Sequence, residues 1–170
     1  MTKPVFFKPN LAKASAAVAL IAEPLHRLDR HAADWIAYRA DRNHLNRFGR
    51  PVLGLRYRNR EGLPESLELA ELFSSQGEGT ACIVSEGIAR RRTEVSISYD
   101  LFSKSDLAAI SASVVDFLSK GRTPRLEEMP VAWCEQTANG WIGYENMLDA
   151  GPNRQAWRDD MAAVAPYVRF

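Results

Sequence analysis

The hydrophobic pattern of the chain changes period near residue 50. Before that point it is helical. Asn10 can cap a helix reaching to about Ala22, with Leu11, Ala14, Val18 and Ile21 on one face. Pro24 suits the first turn of a second helix, where its missing N–H is not needed. Leu25, Leu28, Ala32, Trp35 and Ile36 then recur at helical spacing, and Gly49 supplies a stop signal after Phe48.

Beyond Arg50 strand signals appear. Over residues 51–58, Leu53, Leu55 and Tyr57 alternate with Gly54, Arg56 and Arg58, which predicts a half-buried strand before a turn at 59–62. Residues 64–73 are rich in Leu, Ala and Glu and read as helix, although Leu67, Leu69 and Phe73 also suit one strand face. Residues 81–86 and 93–100 predict two strands joined around Gly87. The second alternates Val95, Ile97 and Tyr99 with Ser96 and Ser98. Ser103 and Asp106 form a capping-box pattern ahead of the apolar stripe Leu107, Ile110, Val114, Phe117 and Leu118, and Gly121 closes it. Residues 131–136 and 141–145 predict a hairpin around Asn139 and Gly140, with Trp133, Trp141 and Tyr144 as a cross-strand aromatic group. A last helix begins near Pro152, carries Trp157, Met161 and Val164, and stops at Pro166.

These elements predict an α+β fold in one globular domain over residues 1–170, with a helical segment (1–49) packed on a mostly antiparallel sheet (50–170). The order strand, helix, strand, strand, helix, strand over 51–135 matches a ferredoxin-like arrangement. Residues 93–100, its third strand, lack the aromatic-rich pattern by which an RNA-recognition sheet stacks bases.

Composition narrows the class. With 46% hydrophobic and 25% charged residues, the chain is too apolar and too evenly charged for disorder. Cys82 and Cys134 lack C-x-x-C spacing and a neighbouring histidine, so they read as packing residues in a reducing, cytoplasmic setting and predict no metal. Lys3, Lys8 and Lys13 precede an alanine-rich run, but Glu23 and Pro24 follow it without a cleavage site, so export is not expected. No apolar run is long enough to predict a membrane span.

Charge changes the picture most. Residues 1–60 hold twelve Lys and Arg against four acids, a formal +8; the whole chain is +1, so the remaining 110 residues sum to −7. Arg39, Arg42 and Arg47 ride the second helix, Arg56 and Arg58 share a strand face, and Arg90, Arg91 and Arg92 fall at a predicted hairpin turn. If they merge, these eight arginines form a surface for nucleic acid or a nucleoprotein complex. The same surface could take an acidic protein partner, or the arginines could pair with the acidic remainder of the chain. No P-loop, G-x-G-x-x-G or G-x-S-x-G motif is present, so no cofactor is expected and an enzyme is disfavoured. The best catalytic fragment is His31 with Asp34, three residues apart on one helix and without a third partner.

Overall fold

The computed structural model of the chain describes residues 4–75, 81–121 and 140–169. Helix α1 (Leu11–Leu25) is capped by Asn10, whose side chain accepts from the Lys13 N–H at 3.2 Å. Its inner face is largely alanine with Val18 and Ile21, which lets neighbouring backbone approach closely. Pro24 lies in the last turn of α1 rather than opening the next helix. The chain breaks at His26, held at φ 59, passes through the two-residue strand β1 (Leu28–Asp29), and restarts where Asp29 accepts from the Ala32 N–H at 2.9 Å. That cap, not Pro24, sets the start of α2 (Arg30–Phe48). Gly49 ends it in the left-handed conformation expected of a helix C-terminus.

Residues 51–55 are all buried, so the predicted alternation is absent there. The cause lies in α2. The Asp41 carboxylate accepts the Leu53 N–H at 2.6 Å and the Leu55 N–H at 3.4 Å, taking backbone donors that a strand would give to a neighbour. Pairing begins only at β2 (Tyr57–Arg60), which turns through Glu61 and Gly62, both at positive φ, into β3 (Leu63–Ser66). The ambiguous 64–73 stretch is strand first and helix afterwards. Ser66 caps α3 (Leu67–Ser74) by accepting from the Leu69 N–H at 3.2 Å.

Strand β4 (Cys82–Ser85) turns at Glu86 and Gly87 into β5 (Ile88–Arg91). The strand expected at 93–100 does not form. β5 is flanked by β4 on one side and β1 on the other, and 93–100 instead closes local bonds such as Val95 N–H to Arg92 C=O at 3.3 Å. Arg90 and Arg91 therefore sit on a strand, and Arg92 just past it, rather than at a turn. Helix α4 (Lys104–Lys120) has the predicted capping box. Ser103 Oγ accepts the Asp106 N–H at 3.1 Å and Asp106 returns an acceptor to the Ser103 N–H at 3.0 Å.

Strand β6 (Trp141–Ile142) pairs with β2, and α5 (Arg154–Val164) follows. Of the predicted late hairpin, residues 131–136 lie outside the described residues, as do Trp133 and Cys134. Trp141 meets Phe6 edge-on at 5.9 Å and Tyr144 meets Phe7 at 5.0 Å, so the described part of the aromatic group packs on the N-terminal segment.

The architecture is α+β: five helices and two small antiparallel sheets, ordered β1-β5-β4 and β3-β2-β6, among the described residues. The strands of the middle region are divided between the two sheets. The single sheet of a ferredoxin-like domain is thus not formed by the described residues. One continuous apolar core joins α1, α2 and both sheets, with Trp35, Tyr38, Tyr57 and Tyr144 fully buried. Among the described residues no helix is long and apolar enough to cross a membrane.

Candidate functional site

Most arginines of the first sixty residues meet acids of the rest. Glu65 on β3 is buried and receives Arg30, Arg58 Nε at 2.6 Å and Arg60 at 3.2 Å. Burial pushes its carboxyl upward, but the hydrogen bond from Arg58 and the charges of Arg30 and Arg58 outweigh that and hold it below the ordinary range. Glu68, in the first turn of α3, accepts Arg56 Nε at 2.6 Å, the Arg56 N–H at 3.0 Å and Ser66 Oγ at 3.1 Å. Lys13 and Arg50 reach Asp106, Arg39 reaches Asp116, and Arg42 reaches Asp149. Lys13, Arg30, Arg39, Arg42, Arg50, Arg56, Arg58 and Arg60 thus each pair with an acid beyond residue 60. Much of the charge segregated along the chain is recombined in space.

The eight arginines singled out from sequence divide accordingly. Arg56 and Arg58 come together beside the β2–β3 hairpin, while Arg39 and Arg42 face α4 and the loop after β6. Arg47 lies over the Phe48 ring at the end of α2. Arg90 is exposed on β5, Arg91 donates to the carbonyls of Ala81 and Arg92, and Arg92 pairs with Glu94 at 2.9 Å. His31 is exposed while Asp34 is buried, so the expected His–Asp pair is not made. Asp34 instead accepts the Ser66 N–H at 3.0 Å and Arg30 Nε at 3.4 Å, tying α2 to the start of α3.

Two adjoining hollows run along α1. One, of about 530 Å³, is lined by Leu11, Ala12, Glu68, Glu71, Arg56 and Arg169. The other, of about 460 Å³, shares Leu11 and Ala12 and continues over Leu72, Val95 and Leu101. Arg56 is the oriented group in this groove. Glu68 holds its Nε edge, its side chain is 46% exposed, and its terminal nitrogens make no hydrogen bond among the described residues. A guanidinium fixed on one edge presents its other donors as a fork, the geometry that matches a carboxylate or phosphate.

No family model, curated protein or solved structure matches the chain.

A second polar cluster, which sequence reasoning missed, joins α1, α2 and α4. His44 is buried on α2, with Nδ1 2.8 Å from the Arg50 carbonyl and Nε2 3.0 Å from Ser105 Oγ. Lys13, also buried, points at Asp106 at 3.0 Å. A signal existed: Asp34, Tyr38, Asp41, His44 and Leu45 fall at three- and four-residue spacing, so polar groups occupy the stripe that should be apolar. No group of three or more His, Cys, Asp or Glu able to hold a metal is present among the described residues. Cys82 is buried and its thiol is pushed up to about 11, as suits an unreactive packing residue.

Asp34 makes stability depend on pH. Burial raises its carboxyl from 3.8 to about 7, outweighing the Ser66 N–H and Arg30. The folded state therefore binds a proton more tightly than the unfolded state, and this group's contribution is lost as pH rises from 3.8 to about 7. His44, held below its usual 6.5 mainly by burial, acts in the opposite sense. The difference between wild type and Asp34→Asn isolates Asp34. In urea melts at pH about 5 and about 7.5, the wild type should lose more stability with rising pH than the variant. Equal losses would remove Asp34 as the titrating group.

Proposed function

We propose that the chain is a protein-interaction module that seats a segment of an acidic partner in the groove beside α1. The partner's carboxylate meets the Arg56 fork, with Arg169 across the cleft, and its apolar side chains cover Leu11, Leu72 and Leu101. The carrying observation is the orientation of Arg56 by Glu68, which holds the Nε edge of a half-exposed guanidinium and leaves its terminal nitrogens without a hydrogen bond among the described residues. Leu11, 57% exposed at the junction of the two hollows, supports an apolar contact at the same place. The acid pairing of Arg30, Arg39, Arg42, Arg58 and Arg60 favours this reading over a nucleic-acid ligand, which draws its affinity from several cations free for phosphates along one path.

Peptide display on the immobilised chain tests the reading. Selected sequences should share an Asp or Glu near a pair of apolar residues. Their affinity should fall about tenfold in Arg56→Ala, the loss of one charge-assisted hydrogen bond, and be unchanged in Arg90→Ala. Selection without an acidic consensus, or affinity indifferent to Arg56, overturns it. Salt-dependent binding of duplex DNA that is lost in Arg90→Ala would transfer the function to the nucleic-acid surface instead.

A further inference from the structure

We propose that Ser105 is an activated nucleophile with His44 as its general base, forming a surface site for small carboxylic esters. Four hydrogen bonds and their directions carry it. The Arg50 carbonyl at 2.8 Å can only accept, so His44 Nδ1 carries a proton, and in the neutral ring Nε2 then presents a lone pair. Ser105 Oγ, 3.0 Å from that lone pair, is the donor. Ser103 Oγ already accepts from the Asp106 N–H at 3.1 Å, and with the Ser105 proton directed to His44 it is left as the donor to Ser105 Oγ, 3.0 Å away. The relay thus runs Ser103 to Ser105 to His44. A serine hydrogen-bonded to an oriented imidazole is the arrangement by which a hydroxyl becomes a nucleophile.

The surroundings suit that role. The groups facing His44 are Lys13 from α1, Arg50 after α2, and Asp106 from α4, with Asp106 Oδ1 3.4 Å from Nε2. Burial holds the imidazole below its ordinary value, so it is neutral and able to take a proton at pH 7. Ser105 sits in the first turn of α4, where the Lys104 and Ser105 N–H groups precede the first intrahelical acceptor and can stabilise an oxyanion. Arg50, whose fork reaches Ser103 Oγ at 3.2 Å, adds positive charge beside them. Ser105 is half-buried and Ser103 exposed, so the serine end of the dyad reaches solvent while His44 stays buried behind it.

In the step itself Ser105 Oγ bonds to the acyl carbon and its proton passes to His44 Nε2. The bond to the leaving alcohol then breaks, and the alcohol takes that proton. Water attacks the Ser105 ester, giving its proton to His44, which returns it to Ser105 Oγ as the acid departs. Each turnover consumes one ester and one water.

A fluorophosphonate probe reads the first half, because the Ser105 Oγ–P bond forms as fluoride leaves with the proton. Intact mass should show one adduct, mapped to Ser105 and absent in Ser105→Ala. It should form about 100-fold more slowly in His44→Gln, and at the wild-type rate in Ser111→Ala, an exposed serine on the same helix. p-Nitrophenyl acetate turnover should follow the same order. If His44→Gln does not fold, the wild-type pH profile replaces it: labelling should rise with pH and reach its plateau below the ordinary imidazole range. No adduct at Ser105, an adduct shared equally with Ser111, or labelling flat across that pH range would each reduce the cluster to a helix cap.

Discussion

Asp41→Ala should cost about 3–5 kcal/mol, enough to leave little of an ordinary domain's stability. Asp41 is fully buried and accepts from the Leu53 N–H at 2.6 Å, the Leu55 N–H at 3.4 Å and Tyr57 Oη at 3.0 Å, with Tyr144 Oη at 2.8 Å. Alanine leaves the Leu53 amide and the Tyr57 hydroxyl without acceptors, and each orphaned buried donor costs roughly 1–3 kcal/mol. Relief of the buried carboxyl offsets part of this, which sets the upper end. The protonation state follows from a count of hydrogens. Tyr144 Oη has two acceptors at 2.8 Å, Asp41 and the Leu55 carbonyl, but one proton. The set is complete when Asp41 carries a proton, donates it to Tyr144, and Tyr144 donates to Leu55. Burial acts in the same direction, raising the Asp41 carboxyl above its ordinary value. Asp41→Asn keeps an acceptor for Leu53 and a donor for Tyr144, so it should be milder than alanine. Urea denaturation midpoints order the two variants. An alanine variant as stable as the asparagine one would refute the account.

Asp41 also shows where the sequence stopped being legible. Local signals were readable: the Asn10 cap, the Gly49 stop, the 59–62 turn and the Ser103–Asp106 box all form as their residue types predict. Each depends on bonds spanning a few residues. The failures depend on distant partners. Residues 51–58 alternate like a strand, but the Asp41 side chain, more than ten residues upstream, takes the Leu53 and Leu55 amides. Residues 93–100 have the clearest alternation in the chain, yet β1 lies on the edge of β5 away from β4. A two-residue strand such as Leu28–Asp29 leaves no periodic trace. The candidate groove is assembled from α1, α3, the loop before α4 and Arg169, so no window of sequence contains it. The charge pattern was visible, but whether arginines face a ligand or their own chain is a question of tertiary pairing.

That pairing is asymmetric at Asp106, and the asymmetry gives the second large effect. Asp106→Ala should destabilise by about 3–5 kcal/mol, because it leaves a buried charge without its partner. Lys13 has 6% of its side chain exposed and its ammonium meets Asp106 at 3.0 Å. The same change removes the acceptor of the Ser103 N–H, half of the α4 capping box, worth about 1 kcal/mol. Lys13→Met should be milder. Asp106 would keep Arg50 at 3.0 Å and the Ser103 N–H, and methionine would fill the apolar path of the lysine stem beside Phe102. Adding Lys13→Met to Asp106→Ala should then recover much of the loss, since the unpaired ammonium is gone and only the cap and a small cavity remain. Chemical denaturation of the two single variants and the double variant forms a cycle that measures this coupling directly. Additive losses would mean that Lys13 finds water or another acceptor when Asp106 is removed, and that the contact joining α1 to α4 is not what holds α4 against the first helix.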